Sequence, residues 1–122
     1  DEVDHVVFLG TGWTVGLAHE AALKIREAAG GWAESYPATE FRHGPAAAAG
    51  ARSLVWAFGP LPAGLLDLVG AAGARLRATE LDPLAELVLA QRFAVAWAEA
   101  RGRDPDRPRL LTRSVILDRP GR

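Results

Sequence analysis

The chain has 122 residues, 49% apolar and 24% charged, with a formal net charge of −1 and an isoelectric point near 6.3. That suffices for the core of one domain, and the near-neutral balance gives no electrostatic reason to expect nucleic acid or an anionic membrane surface as a partner. The absence of cysteine excludes disulfides, thiolate metal sites and thiol nucleophiles, and it fits a cytoplasmic origin.

His5-Val6-Val7-Phe8-Leu9 is an apolar, β-rich run without alternation, the pattern of a strand covered on both faces. It stops at Gly10-Thr11-Gly12. A helix is predicted from about Thr14, its N-cap, to Ala28, with Leu17, Ala21, Ile25 and Ala28 on one stripe and Glu20, Lys24 and Glu27 on another. Gly30-Gly31 ends it. A short strand from Ala33 to Ala38 follows, then a short helix from Glu40 to about Ala49, entered through His43-Gly44-Pro45. Leu54 to Phe58 reads as a second buried strand and Ala63 to Ala72 as a second amphipathic helix.

The stretch from Ser53 to Ala74 carries a single charge, Asp67, but Pro60, Pro62 and several glycines interrupt it, so it reads as strand, turn and helix rather than a membrane span. Residues 75–80 offer one further strand. Asp82-Pro83, a capping residue followed by proline in the first turn, starts the clearest helix, which runs to near Gly102 with Leu84, Leu87, Val88, Gln91, Val95 and Ala98 on one face. A proline-punctuated extended arm then leads over the surface to Ser114-Val115-Ile116-Leu117. Strands alternating with helices imply an α/β domain with a parallel sheet and right-handed crossovers. The chain has no methionine and opens almost directly on a strand, so it reads as a piece of a longer protein.

Several residues are candidates for chemistry. Glu20, Lys24 and Glu27 share a helix face, as a solvated ion-pair ladder or as an acid/base carboxylate held by an amine. Lys24 is the only lysine among fourteen basic residues. His43 sits where Gly-Pro stiffens the backbone, either as a turn residue or as a titrating group held in place. Gly10-Thr11-Gly12, between a strand and a helix, has the placement of a phosphate loop but few hydroxyls. The four tryptophans have no stacking spacing and read as core or interface residues. No metal-ligand spacing and no serine–histidine–aspartate triad is present.

Residues 21–27 (Ala-Ala-Leu-Lys-Ile-Arg-Glu), 39–45 (Thr-Glu-Phe-Arg-His-Gly-Pro) and 104–115 (Asp-Pro-Asp-Arg-Pro-Arg-Leu-Leu-Thr-Arg-Ser-Val) together resemble the sugar isomerase (SIS) domain family. The resemblance is in particular to the second SIS domain in the isomerase half of glucosamine-6-phosphate synthase and of related phosphosugar isomerases and deaminases. It spans nearly the whole chain, with the motifs in the family's order. It implies a single three-layer α/β/α SIS domain over residues 1–122 with a four- or five-stranded parallel sheet. One strand fewer than usual fits between the third helix and the last.

The resemblance also implies the chemistry. Glu27 would carry the proton between the sugar's C1 and C2, and His43 would assist ring opening in the active site of a neighbouring subunit, so a homodimer. Lys24 matches a lysine near the site. Gly10, Thr11 and Gly12 would form a tight turn touching sugar hydroxyls, with the main phosphate grip in an upstream SIS domain outside this chain. The substrate class is a hexose or hexosamine 6-phosphate, and no cofactor is called for.

Two departures stand in the arm. Arg113 replaces the lysine that meets the open-chain sugar, and Leu110 replaces an asparagine. A guanidinium cannot form an imine, so Arg113 points to aldose–ketose isomerisation with charge stabilisation rather than Schiff-base chemistry. The alternative is a non-catalytic module that senses sugar phosphates or supports dimerisation.

Overall fold

In the computed structural model, which describes residues 2–113, the first apolar run forms strand β1, His5–Gly10, with all six residues buried. It lies between β2, Trp32–Pro37, and β3, Ser53–Phe58, and a short β4, Arg75–Arg77, pairs with β3. The sheet order is β2-β1-β3-β4 and every pairing is parallel. The two runs that do not alternate are therefore the neighbouring central strands, because only a strand with helix or loop on both faces can be apolar throughout. Among the described residues the sheet has four strands, with only β4 between the second helix and the last.

Side chains alternate between the two faces. Val6 and Phe8 join Trp56 and Phe58 under helix α1, Val15–Lys24, and helix α3, Pro83–Ala100. Val7, Leu9 and Val55 face the other way, under Leu65 and Val69 of helix α2, Leu65–Ala71, and under Phe41. Both faces are thus covered, giving three layers. No described helix is long and apolar enough to cross a membrane.

The segment expected to be a short helix from Glu40 to Ala49 is instead a series of turns closing on a 3-10 turn, Pro45–Ala48. Gly44 adopts φ +124°, a conformation that interrupts any helix and favours glycine. Phe41, fully buried, pins these turns to the core and leaves His43 exposed at their tip.

Helix α3 starts as predicted: the Asp82 side chain accepts the Leu84 N–H at 2.9 Å and Pro83 occupies the first turn. Its buried face coincides with the expected one only at Ala98 and at Leu87, which packs against the core. Glu86, Ala90, Ala94, Trp97 and Ala98 point inward, while Leu84, Val88 and Val95 are exposed. The orientation follows from Glu86. Its carboxylate, 2% exposed, accepts the Trp56 indole N–H at 2.7 Å, the Thr79 hydroxyl at 2.9 Å and the Arg77 Nε–H. A buried carboxylate needs such partners, and once it is seated the small residues one and two turns on must face the sheet. Burial pushes the Glu86 carboxyl up, but the hydrogen bonds from Arg77, Thr79 and Trp56 outweigh it and hold the group below the usual carboxylate range.

After α3 the chain enters the arm, where Arg101 lies over the Trp97 ring at 4.2 Å. Leu110 has φ +64° and is 93% exposed. Asparagine tolerates this left-handed conformation better than leucine, which gives a physical reason for the asparagine in the family pattern. Leu110→Asn is expected to relieve about 1 kcal/mol of local strain and so slow hydrogen exchange of the Leu111 amide, which donates to the Pro108 carbonyl, by about fivefold. An unchanged exchange rate means the arm does not hold this conformation. The residues Ser114-Val115-Ile116-Leu117 lie outside the described residues.

Candidate active site

Parallel strands place all their C-terminal ends on one edge of the sheet, and the candidate residues divide between the two edges. At the C-terminal edge, Gly10 passes so close to the start of α1 that a Cβ there would lie 2.5 Å from Thr14 backbone atoms. The Thr11 N–H donates to Thr14 Oγ1 at 2.8 Å, and the Thr14 hydroxyl lies 2.7 Å from the Phe58 carbonyl oxygen. The Thr11 hydroxyl donates to the Pro60 carbonyl at 3.1 Å. Both hydroxyls of the expected phosphate turn are therefore engaged in internal bonds, and Trp13 projects from it, 67% exposed. Gly10–Gly12 is a packing turn first, and its remaining contacts to a ligand come from backbone.

At the opposite edge, α1 does not end as a regular helix. Its last turn widens into a π turn, Ile25–Ala29, closed by Gly30 at φ +56°. Glu27 lies in that turn. Single π turns recur at functional sites, and nothing in the residue pattern announces this one. Lys24 Nζ reaches Glu27 Oε2 at 2.9 Å and Glu20 Oε1 at 3.3 Å, so the predicted ladder exists with Lys24 between two carboxylates. The hydrogen bond that Lys24 donates to Glu27, opposed by partial burial and reinforced by Glu20, raises the Lys24 ammonium above its ordinary value. The amine stays charged at neutral pH.

The arm returns to this same edge. A groove of about 460 Å³ is walled by Glu27, Asp106, Pro108, Leu111, Thr112 and Arg113. It joins two of the sequence-predicted residues, Glu27 and Arg113, from opposite ends of the chain. Asp106, Pro108 and Thr112 of the same arm motif line it too. A second groove, about 300 Å³, shares Glu27 as a wall and is otherwise bounded by Arg26, Gly30, Arg103, Arg109 and Leu110.

His43 is not part of either groove. It follows the C-terminal end of β2 whereas Glu27 precedes the N-terminal end, so the six-residue strand between them sets them about 20 Å apart. Within one chain the structure brings Glu27 and Arg113 together and leaves His43 at the other edge with Gly10, Thr11 and Gly12.

Another histidine, to which sequence reasoning gave no role, is the most heavily engaged. His5, 1% exposed, has Nε2 2.6 Å from Glu34 Oε2 and Nδ1 2.9 Å from Ser53 Oγ, and it stacks on Trp32. The Tyr36 hydroxyl completes the chain by donating to Glu34 at 2.7 Å, a bond that, with burial, raises the Tyr36 phenol above its usual range. Ser53 is itself buried and also accepts the Gly50 N–H. The arrangement thus satisfies an imidazole, itself closed to solvent, at the start of a central strand. Of the tryptophans, Trp56 and Trp97 are core residues, while Trp13 and Trp32 are exposed. Among the described residues there is no cluster of histidine, aspartate and glutamate able to hold a metal ion.

No family model matches the chain. Over 142 aligned positions it is 34% identical to the isomerizing glutamine–fructose-6-phosphate aminotransferase of Neisseria meningitidis, covering 92% of this chain and 23% of that relative. Its fold matches the glucosamine-6-phosphate deaminase of Thermotoga maritima with a TM-score of 0.82 at 30% identity, covering 94% of this chain and 41% of the other. The C-terminal domain of the glucosamine–fructose-6-phosphate aminotransferase of Francisella tularensis gives a TM-score of 0.74 at 27% identity, with coverages of 86% and 38%. The chain thus spans about a quarter of its curated relatives and about two-fifths of these solved chains. The Neisseria alignment has about thirty positions without a counterpart here (142 against 92% of 122 residues). That is room for a strand with its crossover, which takes a dozen residues or more.

Proposed function

The chain belongs to the sugar isomerase (SIS) domain family, and on that premise we propose that it is the phosphosugar-binding second SIS domain of an aldose–ketose isomerase or deaminase acting on sugar or amino-sugar phosphates. In this reading the protein is cytoplasmic and homodimeric and carries a further SIS domain upstream. The observation that supports it most is the shared groove of Glu27 and Arg113. Two family motifs far apart in sequence supply one wall each, with opposite charges.

Glu27 removes the proton from the carbon next to the sugar carbonyl and returns it to the neighbouring carbon, so that an enediolate forms and collapses to the isomeric sugar. Lys24, charged and 2.9 Å away, holds the carboxylate in place. Arg113 donates to the enediolate oxygen as negative charge develops there; it offers no primary amine, so the route runs without an imine. His43, distant from Glu27 in its own chain, opens the cyclic sugar in the groove of the neighbouring subunit. Gly10, Thr11 and Gly12 share the edge with His43, so their backbone contacts to sugar hydroxyls belong, like His43, to the groove of the neighbouring subunit.

Subunit mixing tests the arrangement. In the intact protein, Glu27→Gln and His43→Asn subunits should each be inactive on the cyclic sugar, and an equimolar mixture should regain about a quarter of wild-type activity. Half of randomly paired dimers are mixed, and each mixed dimer holds one complete site. A mixture as inactive as its components would show that the two residues do not combine across subunits.

A further inference from the structure

Leu110 is 93% exposed and sits at φ +64°, a conformation that costs a leucine stability and, in a single chain, returns none through burial. Its neighbour Leu111 is a wall of the groove that Glu27 and Arg113 share. Beside His43 lies another groove, about 380 Å³, that no described residue fills. The turns supply Arg42, Gly44 and Ala47 to it, and the end of α2 supplies Leu68, Ala71 and Ala72. Arg42 is its only charged wall, and one of that guanidinium's nitrogens donates to the Ala63 carbonyl at 3.1 Å. The remaining walls are small and apolar, the shape that takes an aliphatic side chain.

The two features become adjacent once His43 works in the neighbouring subunit. His43 then enters a groove walled by Leu111 and Arg113 of the partner subunit. Arg42 and Gly44, on either side of His43, are walls of the apolar groove, and Leu110 is the residue before Leu111. One step along each chain, about 3.8 Å, therefore separates the shared site from the groove on one side and from the exposed leucine on the other. Asp106, on the wall of the Glu27 groove, gives Arg42 an acidic partner there. We propose that the groove between the His43 turns and α2 seats Leu110 of a second copy of this chain, so that each subunit of the homodimer clamps the arm of the other. This rests on the sharing of His43 between subunits. The contact is isologous, each groove taking the partner subunit's Leu110. Burial of the leucine offsets the strain of its backbone, and the clamp holds Arg113, three residues on, against Glu27. A leucine where the family pattern has asparagine thereby gains a role in assembly.

Cross-linking of the 122-residue chain tests this, because it has no cysteine and an introduced thiol is its only one. Leu110→Cys chains mixed with differently tagged Ala47→Cys chains are expected to form a disulfide-linked heterodimer under mild oxidation. The rate should exceed that of Leu84→Cys chains with the same partner by at least about tenfold, since thiols held together react at a raised effective concentration. Leu84 is exposed on α3, outside both grooves. Leu110→Ala keeps the backbone strain but removes the apolar anchor, and should weaken dimerisation in sedimentation equilibrium by at least about tenfold. Leu110 and Ala47 are exposed, so circular dichroism should report an intact fold. Cross-linking no faster than in the Leu84→Cys control overturns the proposal, as does wild-type dimerisation of Leu110→Ala. A disulfide formed within one monomeric chain carrying both thiols overturns it too, and shows that the arm covers its own groove. Recovery of activity in the Glu27→Gln and His43→Asn mixture alongside any of these results leaves the shared site standing and rejects only the seat for Leu110.

Discussion

Glu27→Gln is expected to lower solvent-proton exchange at the sugar C1 or C2 by at least about 10²-fold in the intact protein, while substrate binding stays close to normal. Glutamine keeps the length and hydrogen-bonding reach of the side chain but is no base, and general-base contributions run from about 10²- to 10⁴-fold. The substitution costs little stability, because the pair with Lys24 is about one-third exposed and such pairs contribute from nothing to about 1 kcal/mol. A second readout reports on the local geometry. The hydrogen bond to Glu27 is the largest influence raising the Lys24 ammonium, so its pKa should move down in the variant, towards the ordinary lysine value. Exchange at the wild-type rate, with the Lys24 shift present, would reduce this helix face to a structural ion-pair ladder and favour a non-catalytic sugar-phosphate-sensing or dimerisation module.

Glu86→Ala is expected to destabilise the fold by about 3 kcal/mol. Removing one member of a buried, hydrogen-bonded charge pair costs about 3–5 kcal/mol. The lower end applies because Arg77 is 36% exposed and can turn to water. The Trp56 indole N–H, on a residue only 4% exposed, cannot do so and is left without a partner. Glu86→Gln should cost less, since an amide oxygen still accepts from Trp56.

The pH dependence separates the variants. The Glu86 carboxyl titrates lower in the folded protein than in the unfolded chain. Its contribution is therefore fully present above the unfolded carboxyl's range and is lost as pH falls through the folded value. Denaturant unfolding of the wild type should weaken across that acid window, and the Glu86→Gln curve should be flatter there. Parallel curves for the two would mean that Glu86 is not held ionised in the core. Because α3 leads directly into the arm, Glu86→Ala should also loosen Arg113 relative to Glu27, although neither residue touches the mutated position.

The sequence by itself determined the parallel α/β frame. The runs around Val7 and Val55 are apolar without alternation, and a strand of that kind has one stable environment, the centre of a sheet covered on both faces. It also determined where α3 begins, because capping by Asp82 and the fixed φ of Pro83 are local effects that need no tertiary partner. The three motifs were legible as residue types in order along the chain.

What only the tertiary structure decided are the features set by contacts distant in sequence. The inward face of α3 is one. With alanine at 90 and 94 and larger apolar residues at 84, 88 and 95, hydrophobicity alone favours a stripe turned away from the observed one; the bonds from Trp56, Arg77 and Thr79 to Glu86 turn the helix the other way. The π turn around Glu27 is another, since it has no residue signature and ends where Arg103 packs on Gly30. The third is the separation of Glu27 from His43: sixteen positions along the chain become opposite edges of the sheet, because β2 runs its full length between them.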